Sequence, residues 1–89
     1  MQDPDRQLEL QRRLGGRVRE LRQRQGWSQE ELADYCGLHR TYVGSVERGE
    51  RNATLGSLDT LAQALGVKIS DVVKDLEPST TSGGSRRVS

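Results

Sequence analysis

The chain has no phenylalanine, one tryptophan and two tyrosines. Leucine, valine and alanine must therefore supply most of any core. Its 89 residues make one small domain, which buries only roughly 60% of its unfolded surface. A single cysteine, Cys36, excludes an intrachain disulfide framework and reads as a small buried hydrophobe. No apolar run approaches the roughly 20 residues needed to cross a bilayer. The opening MQDPDRQLEL holds no apolar signal core, so a cytoplasmic protein with no membrane partner is expected. One histidine and one cysteine cannot supply a zinc site of about three or four nitrogen and sulfur ligands. No Ser/His/Asp arrangement, phosphate loop or carboxylate pair at catalytic spacing stands out. The expectation is a non-enzyme with no metal and no cofactor. Net charge is nearly absent too, at +1.

That small net charge conceals an uneven distribution. Arg12 to Arg24 holds six arginines and one acid, Glu20, whereas Asp59 to Glu77 holds four acids and two lysines. A basic end and an acidic end are compatible with one side facing a polyanion and another facing elsewhere; solvated helix faces give the same pattern.

Hydrophobic spacing predicts an all-α chain. Asp3-Pro4 reads as an N-cap followed by proline at the first helical position. Gly15-Gly16 then costs about 2 kcal/mol relative to two alanines inside a helix. Yet Leu10, Leu14, Val18 and Leu21 keep helical spacing across the pair. Two readings stay open: one long kinked helix, or an arm followed by a helix from about Leu14, which is preferred. Gly26 supplies a left-handed stop near Gln25. Ser28-Gln29-Glu30-Glu31 is a capping box that opens helix two. Gly37 makes a turn, and helix three runs from near His39 to about Arg48. Thr54 caps helix four, with Leu58, Leu61, Ala62 and Leu65 on one stripe. Gly66 ends it. Ser70 is expected to cap a fifth helix carrying Val72, Val73 and Leu76, closed by Pro78. The expected organisation is residues 1–13 as an arm or partial helix, 14–77 as a domain, and 78–89 as a disordered tail.

Residues 28 to 49, SQEELADYCGLHRTYVGSVERG, spell two short helices joined by a glycine turn, the grammar of a helix-turn-helix. A helix that reads a major groove must expose its first turn and bury its far face. On that geometry Arg40, Thr41, Gly44 and Ser45 fall outside, while Val43 and Val46 point in. Gly44, lacking a side chain, is expected to let the helix lie close to DNA.

Leu21 through Leu65 resembles the lambda-repressor/Cro-like (Xre) helix-turn-helix family. The resemblance runs from the LRxRxGWSQEELA opening to the ERGxRNxTLxxLxxLAxAL close. Within it, LHRTYVGSVERGERNATLGSLDTLA is most similar to the controller proteins of restriction-modification systems. The resemblance implies a five-helix domain that binds double-stranded DNA to regulate transcription. It implies base contacts from Arg40, Thr41 and Ser45, with Arg40 suited to a guanine edge. It implies sugar-phosphate contacts from Gln29, His39, Tyr42, Arg48, Arg51 and Asn52. Glu47 would instead pair with Arg22 and clamp the first helix to the third. Trp27, between helices one and two, is assigned to core packing.

A recognition helix about 15 Å long spans few base pairs. A homodimer on a pseudo-palindromic operator is therefore expected. Its interface would come from Val67, Ile69, Val72, Val73 and Leu76, unless these only complete the monomer core. No small-molecule effector is expected. A rival reading keeps the fold but gives it to a protein partner, as in an antitoxin or a transcription-machinery adaptor. The near-zero net charge favours this reading; Arg40-Thr41 on an open first turn argues against it.

Overall fold

The computed structural model describes residues 3–76, and these form five helices with no strand. They are α1 (Pro4–Arg24), α2 (Gln29–Cys36), α3 (Arg40–Glu47), α4 (Leu55–Leu65) and α5 (Ile69–Val72).

The preferred expectation of an arm before Leu14 is corrected. Helix α1 runs without interruption from Pro4 through Gly15-Gly16 to Arg24, capped by the Asp3 carboxylate accepting from the Asp5 amide at 3.0 Å. Packing explains the glycine. A Cβ on Gly15 would lie 2.3 Å from the Val46 carbonyl oxygen and 2.5 Å from that of Glu47. The glycine thus lets the α1 backbone touch the end of α3, and this close contact offsets the propensity cost of about 1 kcal/mol. Gly49, at φ +74°, repeats the device from the other side: a Cβ there would lie 2.8 Å from Arg12 Cγ. Gln11 Nε2 donates to the Gly49 carbonyl at 3.2 Å and closes the crossing.

The core forms where the stripes of α1, α2, α3 and α4 meet. Val18, Leu32, Val43, Leu61, Leu65 and Val72 are almost fully buried, each worth about 1.5–3 kcal/mol of transfer free energy. Trp27, Cys36 and Leu58 are half-buried against it. Two side-chain bonds tie the ends together: Gln25 Nε2 to the Leu65 carbonyl at 3.1 Å and Arg17 Nε to the Asp71 carbonyl at 3.0 Å.

The C-terminal part departs from expectation. Helix α5 starts after Lys68, whose amide donates to the Asp71 carboxylate at 3.0 Å. Ser70 is therefore inside the helix and is not its cap. The helix ends at Val72, and Val73 and Leu76 lie beyond it. Val72 is completely buried and is no part of any outer surface; the small aromatic-poor core uses it. Val67, Ile69 and Leu76 pack half-buried on the core, and Val73 is exposed. Pro78 and the expected tail lie outside the described residues.

Candidate nucleic-acid interface

The helix-turn-helix is set by local signals. Ser28 Oγ accepts from the Glu31 amide at 3.0 Å, and Glu31 accepts from the Ser28 amide at 2.8 Å. Two of the helix's orphan donors are satisfied this way. Helix α2 then buries Leu32 and Ala33 and ends at Gly37, φ +68°. After this turn His39, exposed, is the N-cap of α3 and makes no side-chain cap bond.

Helix α3 has two unlike sides. Its rear buries Val43, Val46 and the carboxylate of Glu47. Arg22 meets that carboxylate with a two-pronged fork, Nε to Oε2 at 2.7 Å and Nη2 to Oε1 at 2.9 Å. Its third nitrogen, Nη1, donates to the Trp27 carbonyl at 2.6 Å. Gln29 Nε2 adds a fourth bond, to Glu47 Oε1 at 3.0 Å. The Glu47 hydrogen bond is the main influence holding the Arg22 guanidinium charged, and it outweighs the opposing effect of burial. Bidentate geometry with all three guanidinium nitrogens engaged is the condition under which a buried pair repays its desolvation.

The front of α3 opens on Arg40 and Thr41, both exposed. Arg40 reaches only Glu30, at 3.5 Å with both side chains mostly in solvent. Arg48 pairs with Glu50 at 3.0 Å, again in solvent. Such exposed pairs are worth about 0–1 kcal/mol, so a phosphate or a base edge can displace them. These two carboxylates offset the charge of Arg40 and Arg48 locally.

Several side chains sit differently from the sequence expectation. Gly44 is buried, because Gln29 Oε1 and the Arg48 guanidinium cover it; a Cβ would lie 3.2 Å from the first and 3.0 Å from the second. It is therefore not an open point of approach. Gln29 is half-buried and tied to Glu47, so its side chain belongs to the clamp network as much as to the surface. Ser45 is half-buried, and its hydroxyl donates back to the Tyr42 carbonyl at 2.9 Å, which occupies its only proton. The Tyr42 hydroxyl is buried and has no hydrogen-bond partner among the described residues, while Arg51 lies 5.6 Å above its ring. The hydroxyl is therefore not presented to a phosphate, contrary to what the resemblance implies. Arg51 and Asn52 are exposed in the loop after α3.

Sequence reasoning missed the partner of Trp27. Tyr35 stacks on it with ring centroids 4.3 Å apart and planes 20° apart. Tyr35 itself remains 66% exposed. The signal was the spacing of residues 28, 31 and 35, which puts Tyr35 on the turn of α2 above the Trp27 corner.

The comparisons agree with this geometry. A helix-turn-helix family model matches residues 18–72. The control protein C.SmaI of Serratia marcescens is 48% identical over 62 residues, covering 70% of this chain and 74% of that one. The control protein C.BamHI of Bacillus amyloliquefaciens is 44% identical over 61 residues, covering 67% and 75%. The crystal structure of the restriction-modification controller protein C.AhdI from Aeromonas hydrophila superposes with a TM-score of 0.69 at 47% identity, over 70% of this chain and 94% of that one. With its capped α2, its glycine turn and its exposed Arg40-Thr41, the chain belongs to the lambda-repressor-like (Xre) helix-turn-helix family of DNA-binding transcription regulators.

Proposed function

We propose that this chain is a sequence-specific regulator that binds a pseudo-palindromic operator as a homodimer, in the manner of a restriction-modification controller. The observation that carries this reading is the asymmetry of α3: Arg40 and Thr41 are open on its first turn while Glu47 is locked behind it. In operation α3 enters the major groove by its N-terminal end. Arg40 leaves Glu30 and offers its fork to a guanine edge, and Thr41 meets a neighbouring base edge or a thymine methyl. Arg48, Arg51, Asn52 and His39 take the sugar-phosphate backbone on either side, which fixes register without reading sequence. Gln29 serves through its backbone amide at the start of α2, since its side chain is engaged with Glu47. Ser45 and Tyr42 contribute less, because the Ser45 hydroxyl donates to its own helix backbone and that of Tyr42 is buried.

One helix of 8 residues cannot cover a full operator. A second copy related by a two-fold axis places its own α3 one helical turn away, about 34 Å along the duplex. Val67, Ile69, Val73 and Leu76, on the side carrying α4 and α5, are the apolar residues available for that contact.

The test is selection of bound sequences from a random double-stranded pool at near-physiological salt. A two-fold-symmetric motif with half-sites about 10 base pairs apart is expected. The exposed Tyr35 ring beside Glu31 and Asp34 favours the second reading, a protein-interaction module. Recovery of no motif by folded protein moves the assignment there.

A further inference from the structure

Helix α1 carries arginines of two kinds. Some are matched, Arg13 to Glu9 at 2.8 Å, Arg17 to Glu20 at 3.0 Å, Arg24 to Glu20 at 2.8 Å and Arg22 to Glu47 among them, and Arg6 is not without a partner either. Arg12 and Arg19 are exposed, and neither has an ion-pair or hydrogen-bond partner among the described residues. They are seven residues apart, so they share one edge of the helix, offset by about 20° and separated by about 10 Å along the axis. Gly16 lies between them on that edge. A Cβ built on it meets nothing within 4 Å, so the surface there is open and the backbone itself is accessible.

The edge borders the contact between α1 and α3. Gly15, the neighbouring residue, is sealed against the carbonyls of Val46 and Glu47. Arg12 lies with its stem against Gly49, and Gln11 is bonded to the same residue. Arg12 is thereby held beside the segment that carries Arg48 and Arg51, and it lies outside the residues 18–72 that the family model matches. Two unpaired guanidiniums on a rigid helix, with a gap between them, suit a polyanion that presents charge at regular intervals along a ridge. A DNA strand is such a ridge.

We propose that the Arg12–Gly16–Arg19 edge of α1 is an additional phosphate-binding surface for the duplex whose groove α3 enters. It grips the sugar-phosphate backbone, with Gly16 letting the strand lie close to the helix between the two arginines. It adds affinity and salt dependence and no base preference. The proposal rests on the reading of the chain as a DNA-binding regulator.

The experiment compares the full chain with R12Q/R19Q and, as a control for lost charge, R13Q/R17Q. Each is titrated with a duplex bearing the selected motif and about a turn of flanking sequence, over a range of salt concentrations. Removing two phosphate contacts makes the slope of log K against log salt shallower by about 1.8. R12Q/R19Q is expected to show that change, to recover the same motif on selection, and to melt like the parent. R13Q/R17Q is expected to keep a slope nearer the parent's. An unchanged slope for R12Q/R19Q, or an equal change in both doubles, overturns the proposal. Because R13Q/R17Q also breaks the Arg17 bond to Asp71, the single variant R13Q serves as a second control, and it too is expected to match the parent. Failure of the parent chain to select any motif sinks the underlying reading instead, so the two failures are distinguishable.

Discussion

Two of the Arg–Glu pairs that border α3, Arg22–Glu47 and Arg40–Glu30, differ in everything except chemistry. Arg22–Glu47 is buried, with side chains 11% and 2% exposed, and is bidentate at 2.7 Å. Arg40–Glu30 is at the other extreme, 70% and 65% exposed at 3.5 Å through a single contact. The first pair, joined by Gln29, holds α3 to α1 and α2, and each guanidinium nitrogen of Arg22 is already engaged within the protein. The second is a resting position, worth about 0–1 kcal/mol, from which Arg40 is released by a better acceptor. Environment, not residue type, separates the buried clamp from the exposed arginine that we propose reads DNA.

The sharpest way to break the comparison is to remove one partner from each pair. Glu47→Ala leaves the Arg22 guanidinium buried without its carboxylate and is expected to cost about 3–5 kcal/mol, read as a large fall in melting temperature. An unchanged melting temperature refutes the clamp. Gly15→Ala attacks the same crossing without touching charge. The added methyl meets two backbone carbonyls that cannot rotate away, and a loss of about 1–3 kcal/mol is expected from thermal unfolding. If this variant is stabilised, the close contact between α1 and α3 is wrong.

On the exposed side the expectation is inverted. Arg40→Ala should weaken specific binding by about 1–3 kcal/mol while the melting curve stays in place. Glu30→Gln should alter stability by no more than about 0.5 kcal/mol in either direction. It should also strengthen binding, because it frees Arg40 and removes a carboxylate near the phosphates; weaker binding would show that Glu30 positions Arg40. The smallest effect concerns Cys36. Burial pushes its thiol above the ordinary range, so the thiolate is scarcer in the folded protein than in the unfolded chain. Alkylation near pH 8 should be slower natively than in denaturant, and equal rates would contradict its half-buried place against the core.

Much of this was legible in the sequence where one residue type answers one local demand. Ser28 with Glu31 announced the start of α2, Gly37 its end, and Thr54 the start of α4, whose side chain does accept from the Ser57 amide at 3.0 Å. The leucine and valine stripes gave the core. Where the demand was tertiary, the same alphabet misled. Gly15 reads as a breaker until Val46 is brought against it, although the unbroken spacing of Leu10, Leu14, Val18 and Leu21 was the better signal. Gly44 reads as an open face until the long side chains of Gln29 and Arg48 fold over it. Lys68 has no capping side chain of the usual kind, and Asp71 caps from within the helix, so Ser70 attracted the assignment. Tyr42 has an amphipathic side chain, and its spacing in the sequence does not say that its hydroxyl is buried.

In the function proposed above, the exposed first turn of α3 reads DNA while its rear is scaffold. The most direct measurement is parallel selection from one random duplex pool by the parent chain and by Arg40→Ala. A two-fold-symmetric motif is expected for the parent, and for the variant the same motif with preference lost at one symmetric pair of positions. An identical motif from both proteins would contradict the proposed function, because Arg40 would then touch no base.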